Sequence, residues 1–113
     1  MLTVKDLSPS TYLLRLERKG LVFNAGQCFN LGLNSSGVNR EYSIYSGEKD
    51  PYLDFLIKEV SGGIVSPALR LLGEREEINL HGPYGSFVLD KNSVKNNHFT
   101  FVATGTGIAP FHS

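Results

Sequence analysis

At 113 residues the chain has the length of one domain, enough to bury roughly two-thirds of the surface its unfolded form exposes. Lys plus Arg (11) balances Asp plus Glu (11), which excludes the broad basic face that nucleic acid or an anionic membrane surface demands. No apolar run approaches the ~20 residues of a membrane-spanning helix, and the first residues, MLTVKDLSPS, lack the basic and apolar regions of a secretory signal.

The chain then reads as short strands punctuated by turn residues. In TYLLRLE, Tyr12, Leu14 and Leu16 share one face. In QCFNLGL, Phe29, Leu31 and Leu33 do the same, until Asn34-Ser35-Ser36-Gly37 breaks the pattern. Cys28 is the only cysteine, so this chain alone forms no internal disulfide and carries no iron–sulfur cluster. It reads as a small strand residue in a reducing, cytoplasmic setting. REYSIY follows, from Arg40 to Tyr45, then YLDFLIKEV, which sets Leu53, Phe55 and Ile57 against Asp54 and Lys58. SPALRLLG carries a helix signal: Ser66 as N-cap, Pro67 at the first helical position, Gly73 just past the end. EINLHG and SFVLD supply two further strands around a turn at Gly82-Pro83-Tyr84-Gly85.

These elements predict an all-β fold over residues 1–92: a closed, six-stranded antiparallel Greek-key barrel with one short helix, because closure removes exposed strand edges. The polar stretch from Lys91 to His98 reads as a linker. Residues 93–113 hold that linker and the truncated start of an α/β domain, with FTFVA as its first strand and Gly105-Thr106-Gly107 as a strand-to-helix turn. Pro110 stands where the dinucleotide fingerprint has its third glycine, so the turn departs from that pattern.

Two stretches carry candidate chemistry. Alone, REYSIYS reads as a surface arginine and a core tyrosine, and GGIVSPAL as a capped helix. Gly62-Gly63 also permits a tight turn, and the amides of Ile64, Val65 and Ser66 open the helix as an anion-attracting edge. Arg40 neutralises what that edge attracts, and Tyr42 offers a flat aromatic face. A phosphorylated, planar aromatic cofactor uses all three. Charge-assisted hydrogen bonds are worth ~1.5–3 kcal/mol each, so tight binding also needs a large ring against Tyr42. His81, His98 and His112 lack metal-ligand spacing, so no metal site is expected, and Glu74, Glu76 and Glu77 read as a solvated loop.

The ordered motifs REYSIYS, GGIVS, GPYG and ATGTGIAPF, from Arg40 to Phe111, resemble the ferredoxin–NADP⁺ reductase superfamily over nearly the whole chain. The resemblance implies an FAD-binding barrel followed by a domain for NAD(P)H. It implies that Arg40 meets the flavin phosphates, that Tyr42 packs on the isoalloxazine, and that Ser43, the catalytic candidate, hydrogen-bonds near N5. Gly63, Ile64, Val65 and Ser66 are similar to the segment that holds the phosphates, and Leu56 and Ile57 to positions flanking the ribityl or adenine side. Gly105, Thr106 and Gly107 resemble the turn between flavin and nicotinamide, with Thr106 aligning the latter. Ser46, the second serine of the motif, is similar to the FAD-using branch rather than the FMN-using one.

The resemblance thus implies the FAD-binding portion of an NAD(P)H-dependent reductase, passing electrons to a ferredoxin or an oxygenase component, with this chain a piece of a longer protein. Without parallel neighbours, FTFVA is expected to be disordered, to pack on the barrel, or to self-associate with a second copy. The alternative is an FAD-binding or partner-docking module with no NAD(P)H activity of its own. An oligonucleotide-binding barrel is disfavoured by the neutral charge balance.

Overall fold

The computed structural model describes residues 2–33, 37–73, 78–85 and 100–113. Within them the chain forms two three-stranded antiparallel sheets. The first has the order β1 (Leu2–Asp6), β2 (Thr11–Glu17), β5 (Tyr52–Lys58), and the second β4 (Asn39–Ser43), β3 (Cys28–Gly32), β6 (Asn79–Tyr84). A short helix α1 (Ser66–Arg70) precedes β6, and the chain ends in a 3₁₀ turn (Gly105–Ile108) and one helical turn, α2 (Ala109–His112). Among the described residues no helix is long and apolar enough to cross a membrane.

Side-chain alternation assembles the core. On β2 the residues Tyr12, Leu14 and Leu16 point inward, and on β5 Leu53, Phe55 and Ile57 answer them, with Leu14 directly opposite Phe55. Phe29 and Leu31 of β3 close the core from the other sheet, the Phe29 and Phe55 rings meeting edge to face at 6.1 Å. Fully burying such a side chain is worth ~1.5–3 kcal/mol, so this cluster dominates the stability of the fold. Among the described residues the sheets join through a bridge between Ile44 and Phe55, extended by Tyr45 N–H donating to the Asp54 carbonyl at 2.7 Å.

Buried polar groups are paired. Asp54 lies on the outward face of β5 yet is only 3% exposed, and Arg15 across from it on β2 grips both carboxylate oxygens at 2.8 Å while lying over the Tyr52 ring. Arg18 spends its guanidinium on the carbonyls of Leu21, Glu48 and Asp50, tying two loops together.

Several expectations need correction. A strand, β1, forms in the N-terminal stretch read only for targeting signals; its alternation is too short and polar to stand out. Residues Gly82-Pro83-Tyr84, expected to turn, lie within β6, which passes β3 through a register shift between Cys28 and Asn30. Gly82 is required there: its φ is +146°, and a Cβ would sit 2.8 Å from the Phe29 ring. The helix cap is Val65 rather than Ser66, with no side-chain cap bond. Thr100–Ala103 forms no strand, because a lone strand with no parallel neighbour gains no ladder; its residues are exposed, with Phe101 stacking on Phe111 of the following helical turn at 4.7 Å. The expected strand Ser86–Asp90 and the linker Lys91–His98 lie outside the described residues.

Candidate functional site

Strand β4 supplies the first group of predicted residues. Tyr42 is half-buried against the core, opposite Phe29, while Arg40 is exposed and donates from Nη1 to the Asn39 carbonyl at 3.1 Å. Among the described residues no carboxylate forms an ion pair with Arg40. Burial pushes the Tyr42 phenol above its ordinary pKa, against the opposing pull of Arg40. Ser43 is partly buried opposite Cys28. The Cys28 thiol is pushed up to about 11 by burial, with Glu41 adding to the shift, so it is inert at neutral pH.

The second group is the turn into α1. Gly62 takes a left-handed φ of +76°, and a Cβ on Gly63 would come within 2.9 Å of the Val60 carbonyl, which the Gly63 amide already bonds at 2.8 Å. Ile64 is exposed, whereas Val65 and Ser66 are buried. No acceptor for the Ile64 and Val65 amides stands among the described residues. The Ser66 hydroxyl accepts from the Val60 amide at 2.9 Å, so its position is fixed by the turn itself.

Tyr12 links these groups, a role its sequence position did not assign. It is fully buried on β2, and its hydroxyl donates to the Ser66 carbonyl at 2.6 Å. Burial raises its phenol well above the usual range, followed by the influence of Tyr42 and then Glu59, so it stays a donor under all ordinary conditions. The signal was present: a tyrosine among inward leucines must find a partner for its hydroxyl.

The remaining candidates divide. Ile57 is 1% exposed and pairs with Tyr12 on β5, so its side chain is core, while Leu56 lies on the opposite face, partly buried. Ser46 is buried as well: its hydroxyl accepts from the Asp54 amide at 3.0 Å and its carbonyl accepts from the Ser113 hydroxyl at 2.7 Å. Both of its oxygens therefore serve the fold. The Gly105–Gly107 turn packs beside β5, with Gly105 at φ +53°, Thr106 partly buried and the Gly107 amide donating to the Thr104 carbonyl. No hydrogen bond or ion pair joins Arg40 to residues 63–66. Among the described residues, Tyr12 is the element that connects the two groups, through its bond to the Ser66 carbonyl and the influence of Tyr42 on its phenol.

Comparison with known proteins gives this arrangement a context. The family model described as an oxidoreductase FAD-binding domain matches residues 2–89. The chain is 38% identical over 119 residues to ferredoxin–NADP reductase B of Sorangium cellulosum, covering 100% of this chain and 48% of that protein. It is 37% identical to the toluate 1,2-dioxygenase electron transfer component of Pseudomonas putida, covering 96% of this chain and 32% of that one. Among solved structures, ferredoxin–NADP⁺ reductase from Plasmodium falciparum superposes with a TM-score of 0.83 at 31% identity, covering 100% of this chain and 46% of that chain. A ferredoxin NADP⁺ reductase from Neisseria gonorrhoeae with bound FAD and NADP does so at 0.82 and 27%, covering 99% and 47%. The chain thus spans a third to a half of the length of these relatives. With four motifs, two sheets and a matched span in agreement, the chain belongs to the family of oxidoreductase FAD-binding domains.

Proposed function

We propose that this chain is the FAD-holding half of an NAD(P)H-dependent flavoprotein reductase, with its two sheets closing into the family's barrel over residues 1–92 and residues 93–113 beginning the nicotinamide half. The observation that carries the reading is a set of donors beside an aromatic ring: among the described residues Arg40 has no carboxylate partner and the Ile64 and Val65 amides have no acceptor, while the Tyr42 ring is half-buried. That set fits a phosphorylated, planar aromatic cofactor such as FAD. When bound, FAD supplies two-electron exchange with a nicotinamide and onward transfer of electrons.

The chain's own residues do the holding. Arg40 neutralises phosphate charge, with the Gly63–Ser66 segment presenting amides that Tyr12 keeps in place. Tyr42 covers an aromatic face, and Ser43 offers a hydroxyl that donates to or accepts from a ring nitrogen as its protonation changes. Leu56 and Ile57 contribute through β5, Ile57 by backbone only, since its side chain is buried. Thr106 and its flanking glycines Gly105 and Gly107 shape the nicotinamide side. The relatives are named as a ferredoxin reductase, a dioxygenase electron transfer component and a monooxygenase reductase component, which supports a redox protein as the acceptor; a reducing cytoplasmic setting is part of the proposal.

The test is FAD titration of the purified chain, followed by the visible flavin band after unbound cofactor is removed. Arg40→Ala is expected to weaken FAD roughly ten- to hundred-fold, the loss of one or two charge-assisted bonds. A folded chain that retains no FAD overturns the reading. Retained FAD with no NAD(P)H oxidation when the nicotinamide half is supplied leaves a flavin-binding or partner-docking module.

A further inference from the structure

At the end of β4 the chain continues through buried Ile44 to Tyr45 and Ser46, and there the C-terminal segment meets it. The His112 imidazole lies flat on the Tyr45 ring, centroids 3.8 Å apart and planes at 0°. Its Nδ1 is 2.7 Å from the Tyr45 carbonyl. One residue on, the Ser113 hydroxyl donates to the Ser46 carbonyl at 2.7 Å, and Ala109 is buried at the start of the same turn of helix. Tyr45 is held from the other side as well, its amide donating to Asp54 of β5.

We propose that His112 is a positioning residue that latches the Gly105–Gly107 turn onto the flavin-binding strand through Tyr45. This rests on the flavin reading for its consequence, not for its geometry. Tyr45 stands two residues beyond Ser43, about 7 Å along an extended chain, so whatever fixes Tyr45 to α2 also fixes the spacing between the flavin strand and the nicotinamide turn. Two different interactions act on one ring. The stack is apolar and dispersive, while the Nδ1 bond is directional and sets the rotation of the imidazole about that stack. A carbonyl oxygen has no proton to give, so Nδ1 is the donor and the neutral ring is the Nδ1–H tautomer, with Nε2 left as an acceptor.

Besides the latch, the turn packs beside β5, and Phe101 stacks on Phe111 within the same segment. Its described backbone bonds are local, from the Gly107 amide to Thr104 and from the Ser113 amide to Ala109. The short helical turn α2 is too brief to be stable by itself. Among the described residues, the hydrogen-bonded tie to the chain just past β4 comes from side chains at positions 112 and 113, with buried Ala109 at the start of the same turn.

Amide hydrogen exchange on the chain with and without FAD, compared with His112→Ala and His112→Phe, tests this. The phenylalanine keeps a flat ring for the stack and removes the donor. Exchange at residues 105–109 is expected to be slowest in the parent, faster in His112→Phe, and at least ten-fold faster than the parent in His112→Ala, with β2 and β5 amides unchanged. The imidazole nitrogen spectrum of the parent is expected to show the Nδ1–H tautomer. Equal exchange at the turn in all three chains overturns the proposal. So does a uniform rise across β2 and β5, which marks general destabilisation, and so does an Nε2–H tautomer. If the parent retains no FAD, the flavin reading fails, while the exchange and tautomer results still decide the latch.

Discussion

Ser46 is a motif residue whose hydroxyl serves the fold. In the pattern R-x-Y-S-I-x-S it marks similarity to the FAD-using branch, and in the fold it is 1% exposed with its hydroxyl accepting from the Asp54 amide. Ser46→Ala is expected to cost about 1–3 kcal/mol by leaving a buried amide unpaired, read as a lower melting temperature, while FAD affinity stays within two-fold. Tyr12→Phe removes the donor to the Ser66 carbonyl and is expected to cost about 1 kcal/mol in stability. It is also expected to weaken FAD severalfold in titration if Gly63–Ser66 holds the phosphates as proposed. Unchanged affinity in that variant would detach Tyr12 from the site. Motif spacing named Arg40, Tyr42 and Ser43 without naming Tyr12, since a residue on another strand reaches Ser66 only through folding, 54 positions away in sequence.

At the scale of elements, alternation found β2 because it buries one face, and an apolar face leaves a period of two. It found β3 and β5 through the alternate apolar residues Phe29, Leu31 and Leu53, Phe55, Ile57, although neighbours on their other faces are buried too. It missed β1, and it read Gly82-Pro83-Tyr84 as a turn, because glycine and proline are turn residues unless a neighbour demands them. In β6 the neighbour is the Phe29 ring, which leaves no room for a Cβ at Gly82. Gly82→Ala is therefore expected to destabilise by more than the ~1 kcal/mol of backbone entropy arguments, and to do so by shifting β6 off β3, checked by loss of exchange protection at Cys28 and Asn30. The pair across β2 and β5 gives a second check. Arg15→Ala strands the buried Asp54 carboxylate and is expected to lower stability by roughly 1–3 kcal/mol in denaturant melts, discounted because Arg15 is itself 43% exposed.

For the whole molecule, alkaline pH is the sensitive direction. The Cys28 thiol, pushed up to about 11, and the Tyr42 phenol, also raised, hold their protons more tightly in the fold than in the unfolded chain. The unfolded chain binds fewer protons in that window, so stability falls as pH climbs from the ordinary thiol range toward about 11 and is intact below it. Cys28→Ser is expected to make the alkaline slope of the melting temperature shallower. Thiol labelling of the parent is expected to stay slow until the same window.

The strand order β1-β2-β5 beside β4-β3-β6 also sets how the chain finds its fold. Each sheet is one local hairpin, Leu2 opposite Leu16 and Cys28 opposite Ser43, completed by a distant strand that brings Lys58 to Thr11 and Tyr84 to Cys28. Hairpins close in about 1–10 μs, whereas the two distant pairings must overcome the entropy of long loops before any core contact rewards them. Refolding is therefore governed by the arrival of β5 and β6, in the millisecond-to-second range typical of non-local β topologies.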